Sequence, residues 1–371
     1  MDITPFFRLM VDKNASDLFF SVGAPPSIKI EGQIAPVGKT PMKPQQMSEL
    51  VESLLTDDQK VEFERNLELN MALSLANIGR FRINVFRQRG EKAIVIRYIR
   101  EEILSLEKLK LPKILESIIM EMRGLVLVVG STSSGKSTTL ASMINFRNEN
   151  HRSHILTIED PIEYLHHHKK SIVDQREVGL DTLSFANALK NAMREAPDVI
   201  LIGEIRDRDT MKHAIAYAET GHLCLSTLHA NNANQAMERV INFFPSDAKQ
   251  HLLLDLSLNL KAVISLRLIP GLKDQRVPAV EILLNSPYIA DLIEKGKVDE
   301  IKEVMERSRE LGMQTFDQAL LDLYFAGEIS EENAIRFADS KNNVGLKIRL
   351  SEKGKNLDGD SKLKIEEEDE Q

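Results

Sequence analysis

Residues 130–137 read Gly130-Ser-Thr-Ser-Ser-Gly-Lys-Ser137, which is the residue spacing of a complete P-loop. The glycines of such a loop let backbone N–H groups turn inward around phosphate. Lys136 brings a cation to the β- and γ-phosphates, and the Ser137 hydroxyl can ligate Mg²⁺. We therefore expect ATP and Mg²⁺ to bind here, with the nucleotide held by Gly130, Ser131, Thr132, Ser133, Ser134, Gly135, Lys136, Ser137 and Thr138.

The sequence on both sides of the loop supports this interpretation. The run Leu125-Val-Leu-Val-Val129 is short and rich in β-branched residues, as a buried parallel strand should be. After the loop, Leu140, Met143 and Ile144 recur at helical spacing. Strand, loop and helix therefore occur in the order that a P-loop requires; the alternative is an ordinary Gly/Ser turn.

The composition limits the class of protein. A chain of 371 residues can bury two hydrophobic cores, so two domains are expected. The net charge of −8 disfavours a general nucleic-acid binder, which needs an excess of Lys and Arg. The single cysteine, Cys224, excludes a disulfide framework and a multi-cysteine zinc site, so a reducing cytoplasm is expected. Without an 18-residue apolar stretch or a signal-like start, we expect the chain to be neither secreted nor membrane-spanning.

The pattern along the chain predicts an α/β fold in two parts. Residues 1–98 read as a small α+β domain, with strands at 18–22, 28–37 and 81–85 and a helical region within 44–69. Residues 99–112 read as a linker. Residues 113–350 begin with strands alternating with helices, which predicts a parallel sheet with ligand at the carboxyl ends of its strands, and become mainly helical later. Residues 351–371 are predicted to be a disordered acidic tail.

Two acids follow predicted strands and are candidates for catalysis. Glu159 ends the strand at 154–158, where a carboxylate could polarise the water that attacks a γ-phosphate. Glu204 ends an apolar strand of the Walker B type, although Gly203 occupies the usual position of a metal-side Asp. Glu204 is therefore expected to hold Mg²⁺ directly or through water, together with Ser137. The alternatives are a surface turn at Glu159 and a capping carboxylate at Glu204.

Four further residues are weaker candidates. His222 and His229 stand at the two ends of one predicted strand, and His229, which follows it, is the better candidate for a γ-phosphate sensor. Arg82 and Arg97 lie in the first domain and could neutralise charge that develops during phosphoryl transfer. Structural histidines and surface arginines are the alternatives for these four residues.

Several motifs together are more specific than a P-loop alone. In chain order they are Ala15-Ser-Asp17, Thr157-Ile-Glu-Asp-Pro-Ile-Glu163, Gln175-Arg-Glu-Val-Gly179, Ala196-Pro-Asp-Val-Ile-Leu-Ile-Gly-Glu-Ile-Arg-Asp207, Thr220-Gly-His222 with Ser226-Thr-Leu-His229, and Gly312-Met-Gln-Thr-Phe-Asp-Gln-Ala-Leu-Leu321 with Ala338-Asp-Ser-Lys-Asn-Asn343. With these motifs the chain resembles the type II/IV secretion ATPase superfamily over residues 1 to about 350. Within it, the chain is most similar to the type IV pilus retraction branch and its PilU subgroup.

The resemblance implies a fold and roles for individual residues. It implies a PAS-like N-terminal domain followed by a RecA-like ATPase domain, assembled as a hexameric ring. Glu159 would be the catalytic glutamate, Glu204 the Walker B acid, and His222 and His229 part of a His box. Arg82 and Arg97 would approach the nucleotide from the N-terminal domain. The implied place is the cytoplasmic face of the inner-membrane pilus base, reached through a platform protein, with a PilT-type paralogue as partner and no nucleic acid.

Two departures from the family pattern bear on function. Ser133 replaces a glycine that is common in the loop. Ile289-Ala-Asp-Leu-Ile-Glu-Lys295 stands where PilT has an Ala-Ile-Arg-Asn-Leu-Ile-Arg-Glu motif needed for retraction, so both arginines are lost. The leading hypothesis is a ring-forming ATPase that drives or assists pilus retraction together with PilT. The alternatives are an accessory PilT-binding subunit whose own hydrolysis is dispensable and, on shared core architecture alone, a DNA-translocating motor.

Overall fold

The fold is taken from a computed structural model that describes residues 2–30, 32–99, 102–273 and 275–360, with the backbone alone for 352–360. The chain forms two compact units. The first comprises Met1–Ile103, Leu156–Lys169 and Val173–Glu195; the second comprises Leu104–Ile155, Lys170–Ile172 and Ala196–Gln371. The first unit thus contains two segments that follow residue 98 in the sequence.

Strands and helices follow each other in turn through the middle of the chain, whereas the described elements after Leu284 are helical. The strands are β1 (Asp17–Ser21), β2 (Ser27–Ile30), β3 (Gln33–Pro36), β4 (Glu68–Leu75), β5 (Gly79–Gln88), β6 (Glu91–Ile99), β7 (Gly124–Val129), β8 (His154–Glu159), β9 (Ile172–Glu177), β10 (Val199–Ile202), β11 (Leu223–Leu228), β12 (Leu260–Pro270) and β13 (Arg276–Leu284). The α-helices are α1 (Thr4–Asp12), α2 (Pro44–Leu54), α3 (Asp57–Asn66), α4 (Ile114–Ile119), α5 (Lys136–Asn150), α6 (Phe185–Ala192), α7 (Arg208–Glu219), α8 (Ala233–Asn242), α9 (Lys249–Asn259), α10 (Pro287–Glu294), α11 (Ile301–Arg307), α12 (Phe316–Phe325), α13 (Glu331–Phe337) and α14 (Lys341–Asp360).

The N-terminal sheet has six antiparallel strands in the order β3-β2-β1-β6-β5-β4. Strand β5 alternates between buried and half-buried side chains: Phe81 and Ile83 enter the core, whereas Arg82 lies on the other face. The single strand predicted at 28–37 is a hairpin of β2 and β3. Gly32, with φ +85°, turns the chain between them, and a glycine adopts that conformation without steric cost.

The helical region predicted at 44–69 is two helices followed by a strand. Thr56 separates α2 from α3 because it forms a capping box: its hydroxyl accepts the Gln59 N–H, and the Gln59 side chain accepts the Thr56 N–H. Leu67, with φ +63°, then ends α3, and β4 begins at Glu68. Sequence reasoning missed β4, although Leu69 and Met71 alternate along it into the core.

The second sheet has the strand order β13-β12-β7-β11-β10-β8-β9. Strands β12, β7, β11 and β10 run parallel, with Val126 opposite Leu225 and Leu201 opposite Leu225 on its other side; β13 pairs antiparallel with β12. All residues of β7, β10 and β11 are buried, which confirms the predicted core strands. Parallel strands present their carboxyl ends at one edge, so the loops after β7, β10 and β11 lie together.

Cys224 lies in the middle of this sheet and is fully buried on β11. Its apolar surroundings raise the pKa of the thiol far above its usual range. Buried thiols of this kind behave as small hydrophobic side chains rather than as nucleophiles.

The C-terminal helices pack through the stripe predicted at 316–324. Phe316 and Leu320 are fully buried, and Leu323 and Tyr324 pack against the same cluster. Helix α14 continues to Asp360, so the structure gives a helix for the first ten residues of the segment predicted to be disordered; residues 361–371 lie outside the described residues. Within the described part of the chain, no helix combines the length and apolar character needed to cross a membrane.

Candidate functional site

The P-loop connects β7 to α5 and requires glycine at Gly130. Gly130 has φ +153°, and a Cβ there would lie 2.3 Å from Ser134 Oγ and 2.7 Å from the Leu266 carbonyl oxygen. Gly135, with φ +96°, forms the N-cap of α5. The loop therefore delivers the N-terminus of a fifteen-residue helix, whose N–H groups and dipole favour an anion, to the end of β7.

The polar groups of the loop fit a polyphosphate. Lys136 Nζ donates hydrogen bonds to the carbonyl oxygens of Gly130 (2.9 Å) and Ser131 (2.8 Å), which holds the ammonium group at the loop. Ser134 Oγ is buried and has no hydrogen-bond partner in the described chain. A buried hydroxyl without a partner carries a desolvation cost that a phosphate oxygen could remove.

Two cavities adjoin the loop. The first, of about 360 Å³, is lined by Ser134, Gly135 and Thr138 and by apolar side chains of the last two strands, including Leu268 and Val277. Its mixture of loop backbone and apolar wall suits a nucleoside base and ribose. The second, of about 510 Å³, is lined by Gly130, Ser131 and His229 among others. This second cavity places His229 beside the P-loop.

Glu204 and His229 lie together at the carboxyl ends of β10 and β11. His229 Nε2 is 3.3 Å from Glu204 Oε1, and Arg206 Nε donates to Glu204 Oε2 at 2.7 Å. Thr227 Oγ1 donates to the Gly203 carbonyl oxygen at 2.6 Å, which fixes the backbone just before Glu204. The structure therefore brings the P-loop, Glu204 and His229 together at one edge of the second unit.

The residues present also fit Mg²⁺ bound together with phosphate and water. Among the described residues there is no group of three or more His, Cys, Asp or Glu side chains that could hold a metal ion. Mg²⁺ is commonly held by one or two protein oxygens, substrate phosphates and several waters, so a dedicated cage is not needed. Ser137 and Glu204 are the residues that would hold it, and there it would supply charge neutralisation on the phosphates.

His222 occupies the opposite end of the same strand. Its Nδ1 contacts the Tyr217 carbonyl oxygen (3.2 Å) and Thr220 Oγ1 (3.1 Å), and its own carbonyl accepts the Gly124 N–H at the start of β7. Six residues of extended strand, about 20 Å, separate His222 from His229. This placement disfavours contact between His222 and a nucleotide in the same P-loop, and its predicted catalytic role stays a prediction.

Glu159 belongs to the first unit, and its surroundings differ from those of a surface turn. Thr157 Oγ1 donates to Glu159 Oε1 at 2.7 Å, and Gln175 Nε2 approaches the same oxygen at 3.4 Å. Burial raises the pKa of Glu159 to about 7, an effect that these two hydrogen bonds oppose and the nearby Glu163 carboxylate reinforces. A carboxylate with this pKa can accept a proton near neutral pH, as a general base must.

Arg82 and Arg97 also belong to the first unit, on neighbouring strands. They stand directly opposite each other in the register of β5 and β6. Arg97 Nε donates to Asp17 Oδ1 at 2.9 Å, whereas Arg82 Nη1 lies 3.8 Å from Glu177 Oε1. The two arginines therefore form one cationic pair on the face opposite the core.

Sequence reasoning missed the partners of these groups. Thr157, two residues before Glu159 on β8, could have been found because residues i and i+2 of a strand face the same side. Gln175 and Glu177 lie in a quoted motif but had no assigned role, since only the fold shows what β9 contacts.

Residues 289–295 lie on and just after α10, where Ile289, Leu292 and Ile293 are buried and Lys295 pairs with Asp291.

Comparison with known proteins agrees with the motifs. Residues 2–315 match the family model for type II/IV secretion system proteins. The chain is 54% identical over 351 residues, 94% of this chain and 92% of the relative, to the type IV pilus ATPase PilU of Pseudomonas aeruginosa. It is 41% identical over 90% of this chain and 97% of the relative to the type IV pilus retraction ATPase PilT of the same organism.

A solved structure supports the fold. The crystal structure of the pilus retraction motor PilT with bound ADP matches with a TM-score of 0.86 and 39% identity, over 92% of this chain and 98% of that one. The predicted architecture of an N-terminal domain followed by an ATPase domain is confirmed. That relative binds ADP, in agreement with a nucleotide site on the present P-loop.

Proposed function

The chain belongs to the type II/IV secretion system protein family, and from that premise we propose that it is a ring-forming motor of the type IV pilus. In this proposal it hydrolyses ATP to ADP and phosphate and drives or assists pilus retraction. It works as a homo-hexamer with a PilT-type paralogue, on the cytoplasmic side of the inner membrane, against the platform protein of the pilus base. Nucleic acid has no part in it.

One observation carries the proposal: the P-loop, Glu204 and His229 meet at the carboxyl edge of neighbouring parallel strands. His229 lines a cavity with Gly130 and Ser131 and contacts Glu204 at 3.3 Å. A γ-phosphate held by Lys136 would therefore lie within reach of a histidine that also contacts the candidate Walker B acid. This arrangement lets the presence of a γ-phosphate alter the Glu204–His229 contact.

The residues divide the chemistry between them. Glu159 accepts a proton from the attacking water, whose oxygen bonds to the γ-phosphorus as the bond to the β–γ bridging oxygen breaks and ADP leaves. Arg82 and Arg97 neutralise negative charge that develops on the transferring phosphoryl group. Arginines on a separate structural unit would make hydrolysis depend on the position of that unit, which is how a motor couples nucleotide state to movement.

Steady-state ATP hydrolysis by the purified full chain tests the proposal. Lys136→Ala and Glu204→Ala are each expected to abolish turnover, because one removes the phosphate-binding cation and the other the acid at the metal position. Lys60→Ala, which removes the exposed Lys60–Asp57 ion pair, is the matched control and should leave turnover unchanged. Retained turnover in both site variants would contradict this site assignment.

A second candidate function is an accessory subunit that binds PilT and whose own hydrolysis is dispensable. The absence of arginine from residues 289–295 favours it. Expression of the Glu204→Ala variant beside wild-type PilT separates the two: twitching motility stays intact if the role is accessory and falls if this chain contributes work. Oligomer size with and without nucleotide tests the ring directly.

A further inference from the structure

Two carboxylates offset the repulsion between the paired arginines of the first unit. Arg82 and Arg97 are cross-strand neighbours, and like charges in that position repel each other. Asp17 on β1 stands opposite Arg97 on the other side of β6, and Glu177 at the end of β9 approaches Arg82. Each guanidinium therefore has a separate carboxylate beside it.

The two carboxylates hold their arginines differently. Asp17 Oδ1 accepts from Arg97 Nε at 2.9 Å, and Ser16 Oγ donates to Asp17 Oδ2 at 2.9 Å, so both oxygens are engaged. Glu177 is 1% exposed, and its Oε1, the oxygen 3.8 Å from Arg82 Nη1, has no hydrogen-bond partner within the described residues. Its Oε2 accepts the Ile162 N–H at 3.3 Å.

A buried carboxylate oxygen without a hydrogen bond is costly, and such an oxygen needs an explanation. At 3.8 Å the buried carboxylate attracts Arg82 but does not fix the guanidinium by a hydrogen bond. The other charges that face Glu177 are Arg80, which adds attraction, and Asp181, which opposes it. Arg82 is thus kept close while its donors can still turn to another anion.

Strand β9 also carries Gln175, which lies two residues before Glu177. The Gln175 side chain approaches Glu159. The same strand therefore contacts the candidate base and the candidate arginine. We propose that Glu177 is a positioning residue for Arg82, which aligns the guanidinium with the transferring phosphoryl group and gives it up to that group during hydrolysis. This inference rests on the proposed ATPase function.

A double-mutant cycle on the full chain tests it by steady-state hydrolysis. Glu177→Gln keeps the shape and the acceptor for Ile162 but removes the charge, and it is expected to lower kcat about tenfold with little change in KM. In an Arg82→Ala background the same substitution should change kcat less than about twofold, because the residue through which it acts is gone. Glu195→Gln, at the Arg176–Glu195 pair of the same unit, is the matched control and should leave kcat unchanged.

A loss of kcat of equal size with and without Arg82 would overturn the inference, since that pattern belongs to a merely structural residue. If Glu177→Gln fails to fold, Glu177→Asp supplies the second cycle, with a smaller fall in kcat that must also vanish in the Arg82→Ala background. Failure of this cycle leaves the Lys136→Ala and Glu204→Ala results standing, so the two proposals fail separately.

Discussion

The two candidate carboxylates, Glu159 as the last residue of β8 and Glu204 two residues after β10, have different surroundings. The hydrogen bonds to Glu159 come from the uncharged side chains of Thr157 and Gln175, and burial raises its pKa to about 7. Glu204 instead contacts the guanidinium of Arg206 and the imidazole of His229. A buried carboxyl beside neutral hydrogen-bond donors, with a raised pKa, is suited to exchange a proton. Glu204 instead contacts a histidine that lines the cavity beside the P-loop, where a carboxylate can attract Mg²⁺.

The largest expected effect follows from Glu159→Gln. Removing the base should lower kcat by about 10²- to 10⁴-fold in steady-state hydrolysis, while the affinity for a fluorescent ATP analogue changes little. Glu163→Gln, a nearby carboxylate substitution, is the control and should retain most of the activity. Equal losses in both variants would remove the distinction between Glu159 and its acidic neighbours.

Stability supplies a check that Glu159→Gln is folded. Because the pKa of Glu159 is raised from 4.5 to about 7 in the folded chain, its contribution to stability is fully present below 4.5 and is lost as pH rises through 7. Glutamine has no such loss. The melting temperature of the variant minus that of wild type should therefore be larger at pH 8 than at pH 5. Thermal denaturation followed by circular dichroism measures this difference.

The second effect concerns Glu204 and Mg²⁺. Glu204→Gln should lower the affinity of the nucleotide site for Mg²⁺. Half-saturation of nucleotide binding should then need about 10- to 100-fold more Mg²⁺. Titration of Mg²⁺ against a fluorescent ATP analogue measures this shift. Glu159→Gln is the matched comparison and should leave the titration midpoint unchanged; a shift in both variants would mean that the two acids do not have separate roles.

A smaller effect is expected in the pH profile. Since Glu159 must be ionised to act as a base, kcat should fall about tenfold per pH unit below pH 7. Thr157→Val removes a hydrogen bond that stabilises the carboxylate, so the acidic limb should move to higher pH while the alkaline plateau is kept. An acidic limb that stays in place in Thr157→Val would argue that another group titrates.

The smallest effect is at Ser133, the position where the family commonly has glycine. Ser133 has φ +61°, a left-handed conformation that costs a non-glycine residue about 1 kcal/mol or more. Glycine removes this cost but adds freedom to the unfolded chain, so Ser133→Gly should raise the free energy of unfolding by less than about 1 kcal/mol. Chemical denaturation measures it, and a decrease would show that the serine side chain makes a compensating contact.

The sequence was most informative where structure is local. Strand β7, the P-loop and α5 were located because an apolar run, two glycines and a helical repeat follow one another directly. The surroundings of Glu159 and Arg82 were not predictable in the same way. Gln175 and Glu177 reach them only through the fold, and no period or spacing in one sequence identifies such a contact.

The burial of Cys224 has a practical consequence for testing the proposed motor function. The chain contains no other cysteine, and this thiol is enclosed within a sheet where burial suppresses the thiolate that reacts with maleimides. The wild-type sequence is therefore already a suitable background for site-specific dyes. One cysteine introduced at Asp58 and another at Lys341, both exposed, would carry a donor and an acceptor fluorophore, and energy transfer between them would report movement during each ATP cycle.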